Sequence, residues 1–226
     1  MNFSIRRVNA ILQKDFKDIL RNSAVSISAL TPLMLAFIYG RMADISIEAH
    51  YMVINLTMVV VGTFLQCSLI AEEKEKNTLR GLMMSPASTF EILGGKSLLS
   101  FIATMIIVVI GAYLTGYYPE NLFVVVAAII LSSLFFIGLG TLLGLFTKSV
   151  MEASVIAMPF MLIFGFGTVL TTFADKYPIL KVMAYTPNAQ LVEIAVKVES
   201  GGQIWSNFRD YHTVDYCCLR INCNHF

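Results

Sequence analysis

The sequence predicts an all-α fold, a polytopic bundle of membrane helices, and two observations support this prediction. Of the 226 residues, 57% are apolar and only 14% are charged, and the mean hydropathy is +0.73, which is unusual for a soluble domain. Apolar runs that match the roughly 20 residues needed to cross about 30 Å of hydrocarbon recur along the chain. A single membrane domain is therefore simpler than one or two soluble domains.

The first predicted element is an amphipathic helix over residues 3–20. Apolar residues recur at helical spacing on one stripe, and charged residues fall mostly on the other side. The stripe consists of Val8, Ile11, Leu12, Phe16, Ile19 and Leu20. Because basic residues punctuate this stretch, it does not resemble a signal peptide. A span follows directly, so we expect the helix to lie along the inner membrane surface. The alternative is packing against soluble protein.

Five transmembrane helices are predicted from the apolar runs. They cover residues 23–39, 51–71, 97–117, 122–146 and 150–171. With the amino terminus in the cytoplasm, most lysines and arginines fall in cytoplasmic segments. Before the tail at residue 209, the exceptions are Arg41, Lys176, Lys181 and Lys197. The positive-inside rule therefore favours a multi-pass protein of the cell membrane with a cytoplasmic amino terminus.

The segment between the second and third spans, residues 72–86, is charged and cannot enter hydrocarbon cheaply. An apolar edge at helical spacing predicts a short surface helix within it. That edge consists of Leu79, Leu82 and Met83. Pro86 ends this helix, and Ser88 and Glu91 then form a capping-box pattern that starts the next one. The alternative is a charged loop that only fixes the topology.

Two later features concern packing. Gly140 and Gly144 in the fourth span have a spacing that allows close approach of helices, either within the subunit or between subunits. Residues 173–202 mix tyrosines and prolines with apolar stretches that are too short to cross the membrane. We expect short interfacial or re-entrant helices there on the outer side, with a plain extracellular loop as the alternative.

A series of short motifs runs through the charged segment into the start of the next helix. An acidic patch is followed by a Thr-Leu pair, a Ser-Pro pair, and then a Glu before Gly-Gly-Lys. The residues are Glu72, Glu73, Glu75, Thr78, Leu79, Ser85, Pro86, Glu91, Gly94, Gly95 and Lys96. This series resembles that of the type-2 membrane subunits of ATP-binding-cassette (ABC) exporters, which carry an acidic patch, a Thr-Leu pair, a Ser-Pro or Thr-Pro, and then a Glu before Gly-Lys. Asn77 stands where the family usually has Gly, and both residues tolerate left-handed geometry. We take residues 1–208 as the transmembrane domain.

The resemblance implies a permease subunit of an ATP-driven exporter, which works in the lipid bilayer with a separate ABC ATPase and a second permease subunit, identical or related. It implies an ATPase-coupling element with the residues Glu72, Glu73, Glu75, Thr78, Leu79, Leu82, Met83 and Pro86. Because the chain has no GxxxxGK[ST] phosphate loop, we expect the partner to use ATP and Mg²⁺ and this chain to hold no cofactor or metal. The net charge of +1 gives no reason to expect nucleic acid.

The resemblance also implies that the second and fifth spans line part of a path between two subunits. Their side chains are mostly apolar, such as Met58, Phe64 and Met158, with few polar ones such as Gln66. An apolar path suits a hydrophobic or amphipathic substrate, such as a peptide, a drug or a lipid-like molecule. No convincing set of catalytic groups lies at membrane depth, so we expect no enzyme activity. The alternative function is a non-transporting sensor or immunity subunit with the same fold.

The resemblance implies six spans, and the sixth is missing. Residues 209–226 form an atypical tail rich in Cys, His and Asn, with too little continuous apolar sequence to cross the membrane. The favoured interpretation is an altered terminus. The alternatives are a five-span variant and a tail that packs against a partner.

Overall fold

The described part of the computed structural model, residues 5–42, 45–78, 88–167, 169, 183 and 185–199, is a bundle of helices without strands. The α-helices are α1 (Ile5–Arg21), α2 (Ser23–Tyr39), α3 (Ile47–Thr57), α4 (Gln66–Glu75), α5 (Thr89–Thr115), α6 (Leu122–Phe146), α7 (Val150–Gly165) and α8 (Pro187–Glu199). A π-helical segment, Met58–Leu65, joins α3 to α4, and we call this continuous helix the central helix. The predicted all-α class is confirmed.

Three of the described helices are long and apolar enough to cross a membrane: the central helix, α5 and α6. Helices α1 and α2 pass the same test only as a pair bent by 79°, and α7 is a shorter apolar helix of 16 residues. The described residues therefore support three spans, or four with the bent pair, where the sequence predicts five. The predicted fifth span extends beyond α7 into residues 170–171, which lie outside the described part of the chain.

The central helix forms the middle of the bundle. Within its apolar window 94% of the residues are buried, against 33% for α5 and 28% for α6, whose outer faces are left for lipid. Met58 and Phe64 are buried inside their own subunit, and Met58 belongs to the core cluster that also contains Phe136 of α6. These two residues therefore do not line a path between subunits in this arrangement, whereas Met158 of α7 is exposed.

Helix α6 packs closely against the central helix at two of its own glycines, Gly140 and Gly144. A Cβ atom added to Gly140 would lie 2.9 Å from the Cα of Thr63, and one added to Gly144 would lie 2.9 Å from the Cβ of Ile70. Both distances are too short for a carbon contact, so only glycine permits this approach. Both glycines thus pack within the subunit.

Helix α8 inserts its apolar side into the bundle. Leu191 and Ala195 join the core cluster that includes Tyr51 of α3. The Asn55 Nδ2 atom donates to the backbone oxygen of Asn188 at 3.4 Å, which attaches α8 to the central helix. A helix of 13 residues is too short to cross, which fits a re-entrant element, while the side of the membrane on which it lies stays a prediction.

Helix α5 begins with a capping box. The Ser88 Oγ atom accepts a hydrogen bond from the backbone N–H of Glu91 at 3.2 Å, and the Glu91 Oε2 atom accepts one from the backbone N–H of Ser88 at 2.7 Å. These bonds satisfy backbone donors that have no partner inside the helix. The cap fixes the point at which the chain re-enters the bundle after the charged segment.

We expect Ser88→Ala to lower the free energy of unfolding by about 1 kcal/mol, and Ser88→Gly by only a few tenths. Alanine removes the side-chain acceptor, whereas glycine leaves room for water beside the backbone N–H of Glu91 that loses its partner. Unfolding in mixed detergent micelles measures both variants. An alanine variant as stable as the wild type would show that the cap contributes nothing.

Candidate functional site

A buried cluster of charged side chains joins α1, the end of α4 and the start of α5. The Lys96 Nζ atom lies 2.9 Å from Asp15 Oδ2 and 3.1 Å from Glu73 Oε1. The Lys14 Nζ atom lies 2.6 Å from the same Glu73 oxygen. We call Lys14, Asp15, Glu73 and Lys96 the charge cluster. Because its members come from three helices, the cluster holds these helices in one arrangement.

Because the charge cluster is buried, each of its charged side chains depends on the others for a partner. The side chains of Lys96, Asp15 and Glu73 are 0%, 1% and 5% exposed, so water cannot replace a missing partner. Two ammonium groups face two carboxylates, which offsets the large cost of removing each charge from water. The second carboxylate oxygen of Glu73, Oε2, is buried without a hydrogen-bond partner in the described structure. Loss of one ammonium therefore leaves a buried negative charge.

The two members of the charge cluster on α1 have shifted pKa values. Burial raises the pKa of Asp15, and the nearby Lys96 ammonium only partly offsets this effect. Burial acts to lower the pKa of Lys14, but its hydrogen bond with Glu73 and the surrounding carboxylates outweigh burial and raise the pKa. Lys14 therefore remains a cation at neutral pH.

A second set of contacts brings α1 against the start of α5. The Arg7 Nη1 atom lies 3.3 Å from Glu91 Oε2, the oxygen that also caps α5. A Cβ atom on Gly95 would lie 3.2 Å from the Cγ2 of Ile11, so a glycine at this position favours close packing of α1. Glu91, Gly95 and Lys96, which the sequence singles out through one motif, thus all contact the first helix.

The acidic residues that were predicted to couple to an ATPase have different surroundings. Glu73 is turned inward to Lys14 and Lys96 of its own chain. Glu72 forms an ion pair with Lys76 one helical turn later, and the Lys76 side chain is 58% exposed. The Glu72 side chain is 15% exposed and pairs within the end of its own helix, whereas Glu73 is 5% exposed and pairs with two other helices.

The end of α4 also contacts the connection between α6 and α7. The backbone N–H of Val150 donates to Glu75 Oε2 at 2.8 Å. The Lys74 Nζ atom donates to the backbone oxygen of Thr147 at 2.9 Å and to that of Leu145. The start of the predicted coupling element therefore contacts both sides of the bundle, and the sequence alone did not indicate this second contact.

Helix α4 is followed by a turn at Asn77, whose φ of 57° lies in the left-handed region that Gly and Asn favour. This geometry explains why Asn can replace the Gly expected from the motif. Thr78 Oγ1 then donates to the backbone oxygen of Glu73 at 3.3 Å. The predicted surface helix lies outside the described residues, and so do the remaining predicted coupling residues. These coupling residues are Leu79, Leu82, Met83 and Pro86.

Inside the bundle, Gln66 connects α4, α5 and α6. Its Nε2 atom donates to Thr141 Oγ1 at 2.9 Å and to Ser97 Oγ at 3.2 Å, and its Oε1 atom accepts from Ser100 Oγ at 2.7 Å. Sequence reasoning placed Gln66 beside a transport path. Its polarity in an apolar run was the only available signal, and a buried amide requires such partners.

A cavity of about 190 Å³ lies beside the charge cluster. Its walls carry both signs of charge, since Lys14, Lys76, Asp18 and Glu72 are among the residues that line it. Within the described ranges, no three His, Cys, Asp or Glu side chains are grouped so that they could hold a metal ion.

Comparison with known proteins identifies the family. A family model described as ABC-2 family transporter protein matches residues 6–211. The match includes the three helices that could span a membrane and every member of the charge cluster. No curated protein and no solved structure matches the chain. The chain therefore belongs to the ABC-2 family of transporter membrane proteins.

Proposed function

We propose that this chain is the permease subunit of an ATP-driven exporter and that residues 72–86 couple it to its ATPase. Family membership makes it a multi-pass ABC-2 permease whose ATPase is a separate protein. The observation that favours the coupling assignment is the charge cluster, because it ties the start of this segment to α1 and α5. A loop that only fixed topology would need no such buried attachment.

The contacts around α4 indicate how a movement would spread. A displacement of residues 72–78 reaches α1 through Lys14 and α5 through Lys96. It reaches the α6–α7 connection through Glu75. Packed interiors resist continuous deformation, so these helices move together between discrete arrangements. Closure of two ATPase subunits can thus be transmitted to the whole membrane bundle.

The coupling residues divide into contact and positioning residues. We assign the ATPase contact to Glu72 and Thr78, followed by the apolar anchors Leu79, Leu82 and Met83, with Pro86 ending the element. Buried apolar anchors supply most of the affinity at such interfaces, and charges at the rim set orientation. Glu73 and Glu75 position the segment, because their carboxylates bind groups on other helices, whereas Glu72 pairs only with Lys76 at the end of its own helix.

The remaining parts of the proposal concern topology, assembly and substrate. The asymmetric distribution of lysine and arginine supports a cytoplasmic amino terminus. We propose two permease subunits, identical or related, with two ATPase subunits. The exposed apolar residues Met158 and Leu162 on α7 support a hydrophobic or amphipathic substrate. A sensor or immunity subunit would differ because it would not move a solute.

The test is association with a candidate ABC ATPase after co-expression, followed by ATPase activity in lipid. We expect Leu79→Asp to weaken association at least about tenfold, because a charge replaces an apolar anchor. The matched control is Leu122→Asp, at an exposed position where α6 begins, at the opposite end of that helix from the Lys74 contacts. Equal association of both variants would contradict the coupling assignment. If no ATPase binds the wild type, the sensor or immunity function is favoured.

A further inference from the structure

Helix α1 has one side that packs against protein. Ile11 and Asp15 are 6% and 1% exposed, and they lie against Gly95 and Lys96 of α5. Ile11 belongs to the apolar stripe predicted for this helix, so part of that stripe packs inside the subunit. Other members of the stripe, such as Phe16 and Leu20, do not.

The opposite side of α1 is exposed, and it is both apolar and basic. Phe16 and Leu20 are 51% and 64% exposed. Arg6, Lys17 and Arg21 are exposed beside them and project within about 60° of each other around the helix axis. In the ranges that the structure describes, none of these three cations forms an ion pair. We call these five residues the α1 outer face.

We propose that the α1 outer face binds the headgroups of anionic phospholipids. Phe16 and Leu20 can enter the boundary between headgroups and acyl chains, which leaves the three cations at the depth of the phosphates. Clustered lysine and arginine at this depth attract anionic lipid. The bend of 79° between α1 and α2 orients α1 across the direction of α2, as a helix on the membrane surface requires.

A lipid surface fits better than a second copy of this chain. In a two-fold symmetric contact the basic outer face would meet the same basic face of the second copy. A soluble acidic partner would match the charge, but it would have to cover Phe16 and Leu20 as well. Lipid satisfies both features at once, and α1 directly precedes a predicted span.

Lipid bound here would act on the helix that carries half of the charge cluster. Asp15 projects toward Lys96 from the side of α1 away from the outer face, and Lys14, at the edge of that face, reaches Glu73. Anionic lipid thus stabilises the helix that supports the end of α4. The binding itself requires no ATPase and does not depend on the proposed coupling.

The experiment measures lipids retained by the purified full chain, by native mass spectrometry from an equal mixture of phosphatidylglycerol and phosphatidylcholine. We expect the wild type to prefer phosphatidylglycerol at least about threefold, and the preference to fall with salt. The triple variant Arg6→Gln/Lys17→Gln/Arg21→Gln should retain both lipids equally. The control Arg41→Gln/Lys148→Gln/Lys197→Gln removes as many charges elsewhere and should keep the preference.

Three results would overturn the proposal. The triple variant could keep the phosphatidylglycerol preference of the wild type, or millimolar inorganic phosphate could displace the lipid, which would indicate a general anion site. The triple variant could also lose a dimer while its lipid ratio stays unchanged, which would assign the face to a second copy. None of these readouts depends on ATPase binding, so they separate this proposal from the coupling assignment.

Discussion

Lys96→Met is expected to lower the free energy of unfolding by about 3–5 kcal/mol, because it leaves the buried carboxylates of Asp15 and Glu73 with one ammonium between them. A loss of this size is a large part of the stability of most proteins, so much of the variant should not fold. The measurements are the fraction recovered as a single species after size exclusion and the midpoint of unfolding in detergent.

Two further variants separate the charge imbalance from loss of packing. Lys96→Met/Asp15→Leu removes one charge of each sign and leaves Glu73 paired with Lys14, so we expect most of the stability to return. Lys76→Met breaks the exposed ion pair with Glu72 and should cost about 0–1 kcal/mol. If Lys96→Met were as mild as Lys76→Met, the charge cluster would not hold the three helices together.

Gly140→Ala is expected to destabilise the bundle by about 1–3 kcal/mol, because the new Cβ would lie 2.9 Å from the Cα of Thr63 and must push α6 away from the central helix. The central helix is buried on all sides and cannot move aside without disturbing other contacts. Unfolding in mixed detergent micelles gives the change.

Gly138→Ala is the matched control on the same helix, because a Cβ at this position meets no atom within 4 Å. Alanine favours helix over glycine by about 1 kcal/mol, so this variant should be unchanged or more stable. The two substitutions are chemically identical, and only the one at Gly140 should lower the free energy of unfolding. An equal effect at both positions would show that the close approach of α6 does not matter for stability.

Local features of the fold were predictable from the sequence. Ser88 and Glu91 stand at capping-box spacing, and their bonds join residues three positions apart, so the start of α5 needs no tertiary contact. The end of α7 was less predictable, because the apolar run continues past Gly165, where the helix stops. A hydropathy profile reflects the composition of a segment, and it does not locate the residue at which a helix ends.

Only part of the candidate site was predictable, since the motif singled out Glu73 and Lys96 but nothing in the sequence pointed to Lys14 and Asp15 of α1 as their partners. Glu73 and Glu72 are neighbours of the same type, and only the rotation of α4 directs Glu73 into the bundle and leaves Glu72 beside the exposed Lys76. Likewise, the sequence shows Gln66 only as one polar residue in an apolar run. The tertiary structure shows that it forms hydrogen bonds with Ser100 and Thr141.

The sequence by itself determined that this protein is helical, that it crosses a membrane several times and that its motifs are those of an ABC-2 permease. These properties follow from composition, from spacing along one helix and from short motifs, which are all local. Only the tertiary structure decided that Asp15, Glu73 and Lys96 meet, and that Gly140 packs within its own subunit. Such contacts join residues far apart in the chain, and they depend on how whole helices rotate and pack against each other.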